Sequence, residues 1–309
     1  MRRPPLFLAL LPFLALPLHA EPEPDGEWTA NAVVENGRTV TCEGLGAAQG
    51  VSLRDGKVYL YGDVWDASPR VGVIREYGPE LKPTGRVIWL RRDGRPLLTH
   101  PTGLTWHAKF GCFLGDTVKT RAVIYRLDWE RALADGNLDR AVLDVIDDDA
   151  AVQGCRPEFV TLSGRPYVAT ADYGAARPEV RLYDPEKLLA AKRSRAPGVV
   201  AHRFLCGPFN QNLHFDPEHG RVVLVQNVIA GRGWQLDVLD LAKAVADGRA
   251  DGPGVRLARY TFPPHDELEG WKPLDDRRGV FVISSRKDNV VVGEIKAAEP
   301  RPSPEGTGR

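Results

Sequence analysis

Two stretches of the chain carry the same alternation of apolar and polar positions. AAQGVSLRDGKVYLYGD, ending at Asp63, superimposes without a gap on HPTGLTWHAKFGCFLGD, ending at Asp116. Gly50 falls on Gly103, Leu53 on Trp106, Tyr59 on Cys112, and the closing Gly-Asp pair on its counterpart 53 residues on. Each stretch reads as a short apolar strand, a polar turn and a second apolar strand. The pattern returns in CRPEFVTLSGRPYVATADYG (155–174), NQNLHFDPEHGRVVLVQNV (210–228) and LEGWKPLDDRRGVFVISSR (268–286). Anchored on Gly50, Gly103, Glu158, Asn212 and Gly270, the copies are spaced 53 to 58 residues apart. A period of that size is one supersecondary unit of a repeat architecture.

Each unit continues into a third apolar run: VGVIREY, AVIYRLDW, EVRLYDP, WQLDVLDL and NVVVGEIK. Four of them add a fourth: VIWLRR, VLDVID, AHRFLC and ARYTF. Three connections between third and fourth runs hold segments with helical periodicity, WERALADG, PEKLLAAKR and LAKAVADG, which predict short amphipathic helices. The last unit lacks a fourth strand, and GRTVTCEG (37–44), ahead of the first unit, is free to supply it. Donated in that way, it closes the ring and removes an open sheet edge. The expected fold is all-β: a single five-bladed β-propeller of four-stranded blades, closed by an N-terminal strand. A sandwich or two small β domains would not generate five aligned copies.

The expected organisation is a signal peptide over 1–20, an N-terminal extension over 21–36, the propeller over 37–296 and a disordered tail over 297–309. The leader reading rests on Arg2 and Arg3, the apolar run Leu6 to Leu18, and Leu18-His19-Ala20 as a cleavage site. That run is broken by Pro12 and Pro17 and is too short to span a bilayer. Without the leader arginines, 39 basic residues face 41 acidic ones (41 − 2 against 41), a net charge of −2. No basic run stands out, so nucleic acid is not an expected partner, and no later segment reads as a membrane span. Four cysteines, Cys42, Cys112, Cys155 and Cys206, permit two disulfides in an exported protein. Cys155 and Cys206 introduce successive repeats and are the expected pair.

In a propeller the segment before strand one and the segment after strand two meet on one face. The lead-in positions are Gln49, His100 with Thr102, Arg156 with Glu158, Asn210 to Asn212, and Glu267 with Glu269. The exit positions are Asp63, Asp116, Asp172 with Tyr173, Gln226 with Asn227, and Ser284 to Arg286. Basic residues follow them: Arg70, Lys119 with Arg121, Arg177, Arg232 and Lys287. The recurring exit Asp suits a structural task, capping turn amides or pairing with the next basic residue. The lead-in set differs chemically from unit to unit, as an asymmetric binding site requires. Gln49, His100, Arg156, Glu158, Asn210, Asn212 and Glu269 are therefore the candidate ligand-binding residues. His107, His214, Trp106 and Trp271 fall within first strands and read as packing or interblade groups.

There is no Gly-rich phosphate loop, no HExxH and no GxSxG. The chain resembles secreted bacterial β-propeller proteins in QG (49–50), HPTGL (100–104), VIYRLDW (123–129) and NQNLHFD (210–216), over almost all of the chain after the leader. The resemblance implies the fold and an exported setting, and no activity. Three functions stay open. One is a binding module for a small polar or anionic ligand, with Arg156 and His100 as donors and Asn210 and Asn212 as orienting amides. A second is a metal-assisted hydrolase similar to six-bladed lactonases, with Glu158, Asn210, Asn212 and Glu269 around a divalent ion such as calcium. The third is a scaffold that binds a protein. Five-bladed glycosidases are similar in architecture, but Gln49 and Thr102 stand where their acids would be wanted. The leader makes a direct prediction: exported material begins at Glu21, and intact mass showing Met1 on secreted protein would refute it.

Overall fold

The computed structural model describes residues 28–40, 42, 44–64, 67–118, 121–229, 233–262, 267–275, 277–283 and 289–297. The leader (1–20) and nearly all of the expected tail lie outside them, although the last strand runs through Ala297. The first strand, β1, is Trp28–Val40. Blade one is β2 (Ala47–Arg54), β3 (Lys57–Val64), β4 (Val71–Tyr77) and β5 (Pro83–Trp89), followed by a two-strand ladder of β6 (Arg91–Arg92) and β7 (Arg95–Pro96). Blade two is β8 (Pro101–His107), β9 (Gly111–Val118), β10 (Arg121–Leu127) and β11 (Val142–Asp147). Blade three is β12 (Glu158–Leu162), β13 (Arg165–Ala171), β14 (Glu179–Tyr183) and β15 (Val200–Leu205). Blade four is β16 (Asn210–Asp216), β17 (Arg221–Ile229), β18 (Gly233–Asp240) and β19 (Arg256–Thr261). Blade five is β20 (Gly270–Pro273), β21 (Arg278–Val282) and β22 (Val290–Ala297), completed by β1.

The predicted closure is present, but the closing strand is longer and begins earlier than 37–44. It pairs antiparallel with β22 from Ala32↔Ala297 to Val40↔Val290. Its first residues also pair parallel with β19, Trp28↔Ala258 to Asn31↔Thr261, so blades four and five share one eight-stranded sheet. Asn36-Gly37 reads as a turn in the sequence, which hid the first half of the strand. The ladder absorbs it instead as an irregularity between Glu35 and Arg38. The residues assigned to an N-terminal extension are therefore in part structural.

Period-two alternation packs the ring. In β3, Leu60 joins the cluster shared with Val280 and Val282 of blade five, while Tyr61 joins the cluster shared with Leu104 and Leu114 of blade two. The other three interfaces have clusters of their own: Phe113 with Phe159 and Val168, Val160 with Leu213 and Leu224, and Val223 with Trp271 and Phe281. Five interfaces thus hold five cores. The predicted inserts are α1 (Trp129–Asp135), α2 (Pro185–Ala191) and α3 (Leu241–Asp247). Asp128, Asp184 and Asp240 accept from first-turn amides, and each helix stops at a left-handed residue, Gly136, Lys192 or Gly248. Each buries two residues three apart, such as Trp129 and Ala132. Among the described residues no helix is long and apolar enough to cross a membrane.

Deleting Trp28–Glu35 removes the β19 pairing and half of the β22 pairing. Such a loss costs at least ~3 kcal/mol and should lower the melting temperature by roughly 6–12 °C, with aggregation at the freed edge. Differential scanning fluorimetry and light scattering read both, and an unchanged melting point would show that β1 does not hold the ring.

Candidate functional site

The exit carboxylates do the structural work expected of them. Asp63 Oδ1 accepts from Ala47 N at 3.0 Å, Asp116 Oδ1 from His100 N at 3.0 Å, and Asp172 Oδ1 from Val152 N at 2.9 Å. Asn227 fills the same office for Leu268 N at 3.3 Å. Each fixes the segment that enters a first strand. Arg70 pairs with Asp63 as predicted. The partner of Asp172 is Arg181, which grips both oxygens at 2.8 and 2.9 Å, rather than Arg177. Lys119, Arg232, Ser284 to Arg286 and Lys287 lie outside the described residues.

The lead-in residues do not form one site, because the channel is blocked part-way along. Tyr61, fully buried, lies opposite Gly50 in the blade-one ladder. A Cβ on Gly50 would sit 2.3 Å from its hydroxyl oxygen, so only glycine lets this ring lie across the inner strand. The hydroxyl receives a 2.9 Å hydrogen bond from Asn212 Nδ2, joining blade one to blade four across the axis. Gly270 comes so close that a Cβ on it would be 3.0 Å from Gly50 Cα and 3.3 Å from Asn212 Nδ2. Asn212 is thus a member of a plug, and Gln49, which is buried, leads directly into it.

Arg156, His100, Asn210 and Glu269 precede the plug along their strands. Arg156 is 6 % exposed. Its Nη2 donates to Gln211 Oε1 at 3.2 Å and its guanidinium lies 5.4 Å from the centre of the Tyr173 ring. Nε and Nη1 are buried without a protein partner. Burial pulls the guanidinium pKa down, against the opposing charges that include Glu269 and Asp172. Gly154, at φ +69°, leaves the guanidinium its space, since a Cβ there would lie 3.1 Å from Nη1. His100 is brought down to about 4 by burial and by the Arg156 and Arg70 charges, so it is neutral near pH 7. Asn210 Nδ2 donates to Gly207 O at 2.7 Å and Asp172 O at 3.2 Å, which leaves Oδ1 as a buried acceptor without a partner. Gln211 and Tyr173 complete this end, and the sequence marks them only by their place beside Asn210 and Asp172.

Glu158 lies beyond the plug. Its Oε1 is 2.6 Å from Lys272 Nζ and accepts from Phe215 N at 3.2 Å. It was expected beside Arg156. Two residues of extended chain separate them by about 6.6 Å, enough to put the plug between. The proposed calcium set therefore does not fit as one cage: Glu158 is committed to Lys272 on one side and Glu269 stands on the other. Among the described residues no group of three or more His, Cys, Asp and Glu is placed to hold a metal ion. The expected Cys155–Cys206 disulfide is also corrected, since all four cysteines are free thiols. Cys155 donates towards Val123 O at 3.3 Å between blades two and three, while Cys206 receives Asn210 Nδ2 at 3.3 Å beside blade four.

No family model and no curated protein sequence matches this chain. Several solved structures show a partial likeness to it. The aldose sugar dehydrogenase of Streptomyces coelicolor, solved with PQQ, is 15% identical with a TM-score of 0.49, covering 86% of this chain and 98% of that one. Hydrazine synthase of Kuenenia stuttgartiensis is 10% identical (TM-score 0.40), covering 81% of this chain and 58% of that one. A putative gluconolactonase is 15% identical (TM-score 0.37), covering 64% of this chain and 61% of that one. The chain spans about three-fifths of the last two. A fold by itself assigns no activity, so function has to be argued from the residues.

Burial raises Asp116 to about 6, and its Oδ2 has no partner. A carboxyl raised in the folded state binds protons that the unfolded chain has lost, so its contribution to stability falls as pH rises from about 4 through about 6. Asp116→Asn keeps the oxygen that holds His100 N and removes that dependence. The variant should gain melting temperature relative to the parent at pH 7.5 and gain less, or nothing, at pH 4.5. An equal difference at both values would contradict the assignment.

Proposed function

We propose that this protein is exported and binds a small polar or anionic ligand at the Arg156 end of its channel. One observation carries the reading: a guanidinium 6 % exposed keeps two nitrogens without a protein partner. A buried donor on a charged group left unmade costs about 1–3 kcal/mol or more, a cost that a ligand acceptor would offset. Around it are the other elements of recognition. The Tyr173 ring supplies a flat apolar wall, neutral His100 a further polar group, and Asn210 Oδ1 an acceptor. Glu267 and Glu269 act on Tyr173 from the same region, so the field is mixed rather than uniformly positive. That favours a ligand presenting one anionic or acceptor group to Arg156 and hydroxyl or amide groups elsewhere. The leader-like start of the chain supports export.

Thermal shift with phosphate, acetate, citrate and small hydroxy acids tests the binding. At least one should raise the melting temperature with increasing concentration, and Arg156→Met should abolish the shift. The same substitution removes a buried charge with unmade bonds, so the free variant should melt at or above the parent temperature. Stabilisation of the free protein together with loss of the ligand response is the signature of a binding arginine. A flat response to every anion would overturn the reading, as would a response that survives Arg156→Met.

A further inference from the structure

The far side of the plug is built differently. Each blade contributes one inner-strand residue at the same level: Ser52, Thr105, Glu158, His214 and Lys272. Four of them bond to another blade. Ser52 Oγ donates to Leu104 O, Thr105 Oγ1 accepts Phe159 N at 3.1 Å, and Glu158 Oε1 accepts Phe215 N at 3.2 Å. Lys272 Nζ donates to Leu213 O at 3.0 Å and to Glu158 Oε1 at 2.6 Å. All five face a cavity of about 440 Å³ whose walls include Trp106, His107, Phe159 and Phe215.

This belt carries charge without a net charge. Glu158 and Lys272 cancel, and burial with the neighbouring Lys272 holds His214 well below the usual imidazole range, hence neutral. At the rim, Arg54 is paired with Asp55 and Glu130. An ionic ligand entering here loses its hydration and meets no uncompensated opposite charge, which disfavours it. Capacity for hydrogen bonding nonetheless remains. Two of the three Lys272 N–H groups are used, and both bonds to Glu158 end on Oε1, which leaves Oε2 outside them. A hydroxyl placed between the two accepts from Lys272 and donates to Glu158. The aromatic walls meanwhile offer flat surface to aliphatic C–H groups.

We infer that this end of the channel is a second binding site, separate from the Arg156 end, and that its ligand is a neutral polyhydroxylated molecule of mono- or disaccharide size. The cavity lies within the volume range of small-molecule sites. The match is between a ligand that is uncharged, rich in groups that both donate and accept, and apolar on its faces, and a pocket with a neutral donor–acceptor floor and aromatic sides. The cavity takes one residue from every blade.

The test uses the full chain and tryptophan fluorescence titration, since Trp106 lines the cavity, with a panel of neutral hexoses, pentoses and disaccharides. Uronic acids and amino sugars of the same size serve as charged counterparts. At least one neutral sugar should bind saturably, with the charged relatives at least about tenfold weaker. His107→Ala, which removes a partly exposed wall, should weaken binding at least about tenfold, while Arg156→Met leaves it unchanged. Hydrogen exchange on the unaltered protein gives a readout independent of variants: the sugar should protect residues 104–107 and 158–161. Three results would overturn the inference: no response to any neutral sugar, equal or tighter binding of the charged sugars, or binding lost in Arg156→Met but retained in His107→Ala. Because the Arg156 substitution separates the two ends, failure here leaves the anion site standing, and the reverse holds too.

Discussion

The pairing of β1 with the last blade holds everything else in place. Blades one to four form from strands consecutive in sequence, so their antiparallel ladders close over turns or single helical inserts at small entropic cost. Blade five has to wait for residues about 250 positions away, and without them β22 would present a row of unpaired backbone groups. The strand does more than complete one sheet. By pairing with β19 as well, it ties the two blades that flank the seam into one hydrogen-bonded unit. The axial contacts depend on that closure, since Gly50, Asn212 and Gly270 come from blades one, four and five and meet only in a closed ring.

How much of this was legible varies with the kind of signal. Blade number, strand order and the three helical inserts follow from periodicity, which repeated five times and so averaged out local ambiguity. The capping task of Asp63 and Asp116 was readable for the same reason. The length of β1 was not, because Asn36-Gly37 imitates a turn and only a ladder on both sides shows it to be an irregularity. Glu158 was misplaced for a subtler reason. Sequence alternation reports which way a side chain leaves the strand, not its height along the axis, and height decides on which side of a plug it falls. Nothing local in YLYGD announces that Tyr61 reaches across the inner strand; the cue is Gly50, eleven residues earlier, and its meaning appears only in the ladder. The cysteine pairing failed because both residues precede repeats of the same type, yet their sulfurs turn to different carbonyl and amide partners.

The plug gives one ring two unlike ends. Towards the lead-in loops stands a buried cation with unused donors, beside carboxylates and a tyrosine face. Towards the strand-one exits stands a neutral pair within an aromatic wall. Chemical diversity at equivalent positions is distributed along the axis: some of the variety fills the plug (Asn212), some makes the belt (Glu158), and the remainder stands on the lead-in side (His100, Arg156, Asn210). A pseudo-symmetric scaffold keeps its blades alike where they pack and lets them differ where they approach the axis.

The meeting of the first and last strands also makes the polypeptide nearly seamless. Ala32 and Ala297 are ladder partners, so a short linker could join this region of the chain to itself while new ends are opened elsewhere. The exposed two-residue hairpin at Asp55-Gly56, where the glycine's missing Cβ meets nothing within 4 Å, offers such an opening. In a permuted chain of that kind the seam would move into blade one, and the blade now assembled from distant segments would become continuous. The ring would then be closed by a different strand, with the same plug and the same two ends.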